Sequence, residues 1–308
     1  MGWATRPNLA LNRAWALGGT VRMGASAGGR YWVSGLSGSE AQTLVGDLAL
    51  RVTRGNAAGP SLRRPRVGLY RPWNTSMDEG WTRWLLERYD FDFQNVRNSD
   101  VHAGDLLDRY DVIVLPAERP GALKDGHAEG SVPARYAGGL GDVGIRSLET
   151  FVRTGGTLVA MNQASNLAID EFHLPVRNVV GELGRQDFFS SGSIMEVESD
   201  VAHPVMAGMP ERAKIFFDRS PVFTVEEGFE GAALLKYQEA GSPLLSGYLL
   251  GEETRARVRR RPRRTLWRGA RPASRVPAAV AGAAIRNVPG AVQLRAVLTG
   301  HRGRGVRK

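Results

Sequence analysis

Hydrophobic and polar residues along this chain follow two periods, and the switches between them mark out its parts. Val67, Gly68, Leu69 and Tyr70 form a short apolar run of the kind a buried strand shows, and Pro72, which has no N–H for a sheet ladder, ends it. From Ser76 or Asp78 onward, Trp81, Trp84, Leu85 and Tyr89 fall at helical spacing, with Glu79 in the first turn where the helix dipole favours an acid. Strand, polar loop and amphipathic helix in this order make the first half of a βα unit. Its loop lies at the carboxyl end of the strand, where open α/β sheets keep their ligand sites.

The alternation continues downstream. Residues 91–96 alternate, a short helix is expected near residues 100–107, and residues 110–116 carry a Val-Ile-Val-Leu run that is apolar on both faces, as in the middle of a parallel sheet covered on two sides. The glycine-rich stretch 117–141 is longer than a compact connection needs and reads as functional or mobile. Residues 144–153 place Ile145, Leu148 and Phe151 or Val152 on one helical face, Gly155 and Gly156 cap that helix, and residues 157–161 return as a strand. Alternating strands and helices predict a doubly wound, mostly parallel, flavodoxin-like α/β sheet. Beyond it, residues 165–172 read as a helix, with Ser165 at its N-cap. Residues 193–198, 221–225, 232–237 and 244–250 read as strands of an antiparallel extension.

The first 60 residues are less regular. Residues 9–17 suit a helix ended by Gly18 and Gly19, residues 20–23 and 30–33 a hairpin through Gly28 and Gly29, and residues 40–50 another helix. These pieces bury little surface alone, so they are expected to lean on something else, and residues 55–65 read as a linker. The organisation is therefore a remnant of a preceding region plus linker (1–60), an α/β domain (61–253) and a tail (254–308).

Composition narrows the chemistry. With 308 residues, 42% of them hydrophobic, the chain can bury a substantial core, and with no cysteine it has no disulfide, thiolate nucleophile or cysteine metal ligand. No apolar run approaches the roughly 20 residues of a membrane span, and the first ten residues lack the pattern of a signal peptide. The net charge of +10 is misleading as a whole-chain figure. Residues 254–308 hold 15 Arg and one Lys with no acid, which leaves the rest at −6. The tail has neither helical nor strand period and reads as disordered. Its arginines would suit nucleic acid or an acidic surface, but its composition is what a GC-rich gene yields in the wrong frame, and that reading is preferred.

Several runs carry a resemblance: residues 69–87 (LYRPWNTSMDEGWTRWLLE), 110–116 (YDVIVLP), 136–141 (YAGGLG), 151–160 (FVRTGGTLVA), 202–210 (AHPVMAGMP) and 242–253 (SPLLSGYLLGEE). Together they resemble the C-terminal region of large bacterial zinc carboxypeptidases of the carboxypeptidase A-like family, a region similar to class I glutamine amidotransferases. The resemblance implies a class I amidotransferase-like fold. It further implies a non-catalytic accessory role, interaction or substrate presentation, beside a peptidase domain that hydrolyses C-terminal peptide bonds. The partner would be that peptidase domain in cis, with zinc held there and no cofactor in this chain, and the parent family would be exported. A peptide or glycan ligand is compatible; nucleic acid and membrane partners are not favoured.

Two departures from those families decide against catalysis. A peptidase zinc site needs three convergent donors and an open position, built from an H-x-x-E pair and a distant His. Here the residues three places after His102, His127, His173, His203 and His301 are Asp105, Gly130, Val176, Met206 and Arg304, so His102 with Asp105 is the nearest approach. An amidotransferase needs a Cys nucleophile, and Ser165 as a substitute has no G-x-S-x-G elbow around it. A free-standing hydrolase using Ser165, or Asp78 with Glu79, is the remaining enzymatic reading. The candidate ligand site is the loop around Trp73, Asp78, Glu79 and Trp81, which sets aromatic faces beside carboxylates. Set against that, Trp81 and Trp84 on an amphipathic helix are expected to face the core, with Asp78 and Glu79 as helix starters.

Overall fold

The computed structural model describes residues 6–24, 31–57, 59–74, 76–206, 209–238, 240–252, 278–279 and 296–299. The first helix, α1 (Arg6–Ala16), ends at Gly18, whose φ of 81° is the left-handed conformation that glycine adopts without strain. Strand β1 (Thr20–Met23) pairs antiparallel with β2 (Tyr31–Ser34), while the expected turn at Gly28 and Gly29 lies outside the described residues. Helix α2 (Gly38–Asp47) starts with a capping box in which Ser37 and Glu40 satisfy each other's backbone N–H. The stretch read as a linker is partly a strand: β3 (Ser61–Leu62) pairs with β1. Ala14, Val21, Leu44 and Leu48 give this part a small core of its own. It also leans on its neighbour, since Asn12 Nδ2 donates to the Tyr89 carbonyl at 2.8 Å and Arg13 pairs with Asp90 at 2.8 Å.

The next elements are β4 (Val67–Tyr70), α3 (Met77–Arg88), β5 (Phe93–Val96), α4 (Asn98–His102), α5 (Leu106–Arg109), β6 (Val112–Leu115), α6 (Pro120–Lys124), α7 (Gly141–Arg153), β7 (Thr157–Ala160) and α8 (Ala164–Glu171). The single helix expected near residues 100–107 is two, because Gly104 and Asp105 take φ of 77° and 49° between them. Strands β5, β4, β6 and β7 lie in that order, all parallel, as the doubly wound pattern requires. Strand periodicity sorts their side chains into two layers. Val67, Leu69, Val114 and Val159 face α3 through Leu86, while Tyr70, Val96, Ile113, Leu115 and Leu158 face α7 through Ile145, Leu148 and Phe151. Gly68 sits within β4 because a Cβ there would lie 2.6 Å from Val96 and 3.0 Å from the Tyr110 ring.

The long loop after β6 is folded. It contains α6 and a 3₁₀ turn, Ala134–Tyr136, and Leu140 N–H closes it on the Leu123 carbonyl at 2.9 Å. The buried Tyr70 hydroxyl donates to Asn98 Oδ1 at 2.6 Å, and Asn98 Nδ2 donates to Gly138 O at 3.0 Å, so the loop is tied to the sheet through a satisfied polar pair.

The antiparallel part comprises β8 (Val176–Asn178), β9 (Phe189–Ser199), β10 (Arg212–Asp218), β11 (Phe223–Val225), β12 (Leu235–Lys236), β13 (Leu244–Ser246) and β14 (Leu249–Leu250). β8 pairs with β11, and β9 pairs with β10, β12, β13 and β14. Strand β10 was not anticipated although its alternation is plain: Ala213, Ile215 and Phe217 are buried against Met195 and Val197 of β9, and Arg212 and Lys214 are exposed. Most of the basic tail lies outside the described residues. Its described pieces are β15 (Ala278–Ala279) and β16 (Ala296–Thr299), the latter antiparallel to β7 from Ala296 opposite Ala160 to Thr299 opposite Thr157. The β7 edge of the sheet is therefore paired by backbone with β16. Among the described residues no helix is long and apolar enough to cross a membrane.

Candidate functional site

Strand order alone picks out one place. The chain leaves β4 toward β5 on one side and returns to β6 on the other, so a crevice opens outside the carboxyl ends of β4 and β6. A cleft of about 190 Å³ lies there. Its walls are Ser76 and Asp78 at the start of α3, Glu118 and Arg119 after β6, Asn162 and Gln163 after β7, and Asp218 and Arg219 at the end of β10. A second cleft of about 780 Å³ shares Gln163, Asp218 and Arg219 with the first and adds Asn166, Phe189, Ser190 and Arg185. The two make one groove between the parallel sheet and the antiparallel one.

The four residues singled out from sequence do not converge. Asp78 lines the cleft. Glu79 turns inward and is buried, paired with Arg83 one turn on, whose guanidinium also donates to Asn95 Oδ1 at 2.5 Å. Trp73 packs edge-on against Tyr136, centroids 4.6 Å apart, with Arg97 over its ring at 3.8 Å. That stack pins the β4 loop to the long loop, and Arg97 Nη1 reinforces it by donating to the Arg71 carbonyl at 2.9 Å. Trp81 was expected in the core together with Trp84, and both instead stand on the outer face of α3. The inward positions of that helix are held by Glu79, Thr82 and Leu86, because the Glu79–Arg83 pair lets a charged residue occupy a core-facing site.

Glu118, Arg119, Asn162, Gln163, Asp218 and Arg219 escaped the sequence reading. They belong to three separate strand ends, and only strand order joins them; Asn162 alone carries a local signal, since it follows a predicted strand directly. Asn162 has φ of 49°, and the chain turns there sharply from β7 into α8. Such a strand-to-helix turn is where hydrolases of layered α/β folds raise a nucleophile. Here the position holds an amide, whose Oδ1 is buried with no hydrogen-bond partner among the described residues, a state that carries a desolvation cost until some donor reaches it. Ser165 is not the N-cap of α8 but its second residue. Fully buried, it donates its hydroxyl to the Ala160 carbonyl at 2.9 Å, which removes it as a nucleophile and closes the Ser165 hydrolase reading.

Among the described residues no three His, Asp or Glu side chains converge. His102 Nε2 lies 2.7 Å from the Leu140 carbonyl, a bond in which that nitrogen is the donor, and so is committed to the fold; His301 lies outside the described residues.

No family model matches the chain, and no curated protein matches it. Among solved structures it is similar to a glutamine amidotransferase from Thermotoga maritima, with 14% identity over 60% of this chain and 73% of that one and a TM-score of 0.38. A putative GMP synthase component from Thermoplasma acidophilum shares 9% identity over 57% of this chain and 75% of that one, TM-score 0.37. A putative ThuA-like protein from Bacteroides uniformis shares 14% over 65% and 79%, TM-score 0.35. None of the three is named as a carboxypeptidase. These superpositions are loose and assign no chemistry to this chain.

Proposed function

We propose that this chain is a non-catalytic accessory module that binds a peptide in the groove at the carboxyl ends of β4, β6 and β7 and presents it to a zinc carboxypeptidase-type peptidase domain. The observation that carries the reading is the turn after β7. Asn162 stands where a nucleophile would, and an amide neither attacks a carbonyl nor accepts a proton from water at neutral pH. What an amide does well is pair with another amide, donor to acceptor and acceptor to donor. Asn162 and Gln163 in one groove, with guanidiniums and carboxylates interspersed, suit a peptide backbone with charged side chains. The link to a carboxypeptidase rests on the sequence resemblance described above.

The test is a pair of assays on the full chain. Supplied with zinc, it releases neither the C-terminal residue of blocked dipeptides nor ammonia from glutamine, while a fluorescent peptide binds and Asn162→Ala weakens that binding about tenfold, the loss of one satisfied buried hydrogen bond. Zinc-dependent release of an amino acid overturns the reading, as does peptide binding that ignores Asn162→Ala.

A further inference from the structure

The groove is not built alike along its length. Its narrow part, the cleft of about 190 Å³, is walled mainly by polar and charged side chains. The wide part, about 780 Å³, is within the roughly 300–1,000 Å³ of ligand pockets, and much of its wall is apolar. Val180 and Leu183 on the loop from β8 to β9, Phe188 and Phe189 at the end of that loop, Phe217 of β10 and Pro221 line it. Phe188 meets Phe217 edge to face with centroids 6.1 Å apart, and the Arg185 guanidinium lies over the Phe189 ring at 4.7 Å.

Polar groups reach this cleft too, but the fold already uses them. Asn178 Nδ2 donates to Asn166 Oδ1 at 3.2 Å, and Asn178 Oδ1 accepts from the backbone N–H of Val180 at 3.2 Å and of Val222 at 3.3 Å. Asn166 Nδ2 donates to the Gln163 carbonyl at 3.3 Å, and Ser190 Oγ to Ser193 Oγ at 3.1 Å. The backbone is committed as well, since the N–H groups of Leu183 and Phe188 bond to the Val180 and Gly184 carbonyls. A hydrogen-bonding group gains little from such a wall, whereas an apolar one gains by displacing water from it.

We propose that the wide part of the groove is a side-chain pocket that selects peptides carrying an internal aromatic residue, whose ring packs against Phe188 and Phe189 while Asn162 and Gln163 hold the adjoining backbone. The inference rests on the peptide-binding reading above and goes beyond it by naming the class of peptide. Continuity supplies the occupant: Gln163, Asp218 and Arg219 wall both clefts, so a backbone lying in the narrow part sends a side chain into the wide one. The phenyl rings and the guanidinium beside them give an aromatic ring stacking contacts that an aliphatic chain lacks.

Fluorescence anisotropy on the full chain tests this with three labelled, end-blocked hexapeptides that differ at one internal position, which is Phe, Leu or Ala. The Phe peptide is expected to bind about tenfold or more tighter than the Ala peptide, the effect of burying one large apolar side chain, and about threefold or more tighter than the Leu peptide. Phe189→Ala, and Leu183→Asp in the loop outside the strands, each reduce the Phe peptide to the affinity of the Ala peptide and leave the Ala peptide unchanged. The ranking of the three peptides is read on the unaltered chain and does not depend on the folding of either variant. Equal binding of Phe and Ala peptides, a Leu peptide that matches the Phe peptide, or a preference for Phe that survives both substitutions overturns the pocket and leaves the peptide-binding reading standing. Binding of none of the three overturns that reading, and the pocket with it.

Discussion

Replacing Phe151 with alanine lowers the unfolding free energy by about 3–5 kcal/mol, the range for removing a large aromatic from a rigid core. Phe151 is 2% exposed and stands between α7 and the sheet, among Ile113, Leu148 and Leu158. Its ring lies across Gly156, where an added Cβ would sit 2.3 Å from it, so the floor of its pocket is backbone. Backbone held by the α7 cap and by β7 cannot move in to fill the space, and the cavity therefore persists. Equilibrium urea unfolding of wild type and Phe151→Ala, compared at equal slope, measures the loss; a change below about 1 kcal/mol would mean the pocket collapses and the packing described here is wrong.

Asp111→Asn is expected to cost about 2 kcal/mol at pH 7, and the cost is expected to disappear in acid. Asp111 sits at the start of β6 and accepts from the Arg66 backbone N–H at 2.8 Å, from Arg66 Nη2 at 3.0 Å and from Arg63 Nη2 at 2.6 Å. It thereby fastens the entry of β4 to that of β6. Partial burial works against its charge, but the hydrogen bonds from Arg66 and Arg63 outweigh it and hold the carboxyl down from 3.8 to about 2. Because folding favours the ionised form, the contribution is complete above pH 3.8, the unfolded value, and is lost as pH falls through about 2. Denaturant unfolding at pH 7 and at successive acid pH values reads both parts. A difference between wild type and variant that stays constant down to pH 2 contradicts the assignment.

The parallel sheet was legible in the sequence because buried strands and amphipathic helices write their periods directly. The Val112–Leu115 run and the Ile145, Leu148, Phe151 stripe needed no partner to be recognised. Where the reading failed, a local rule met a tertiary exception. Trp81 and Trp84 were assigned inward by hydrophobicity, but the Glu79–Arg83 pair occupies the inward side of α3 and turns the tryptophans out. Strand β10 was missed although Arg212, Ala213, Lys214 and Ile215 alternate polar and apolar as a half-buried strand does. Half of the site was legible as a place, the loop after β4, but its other walls come from residues 118–119, 162–163 and 218–219, whose meeting depends on strand order and on the packing of β10 against the parallel sheet. Nothing local announces that.

The proposed role requires that this groove bind peptide without cutting it. Hydrogen–deuterium exchange of the full chain, with and without an excess of a defined mixture of short peptides, followed by mass analysis of both protein and ligand, reads the two halves together. The predicted result is slowed exchange confined to residues 71–81, 116–119, 161–166 and 216–220, with every added peptide recovered at its original mass. Protection elsewhere, no protection at all, or peptides shortened from their C-termini would contradict it.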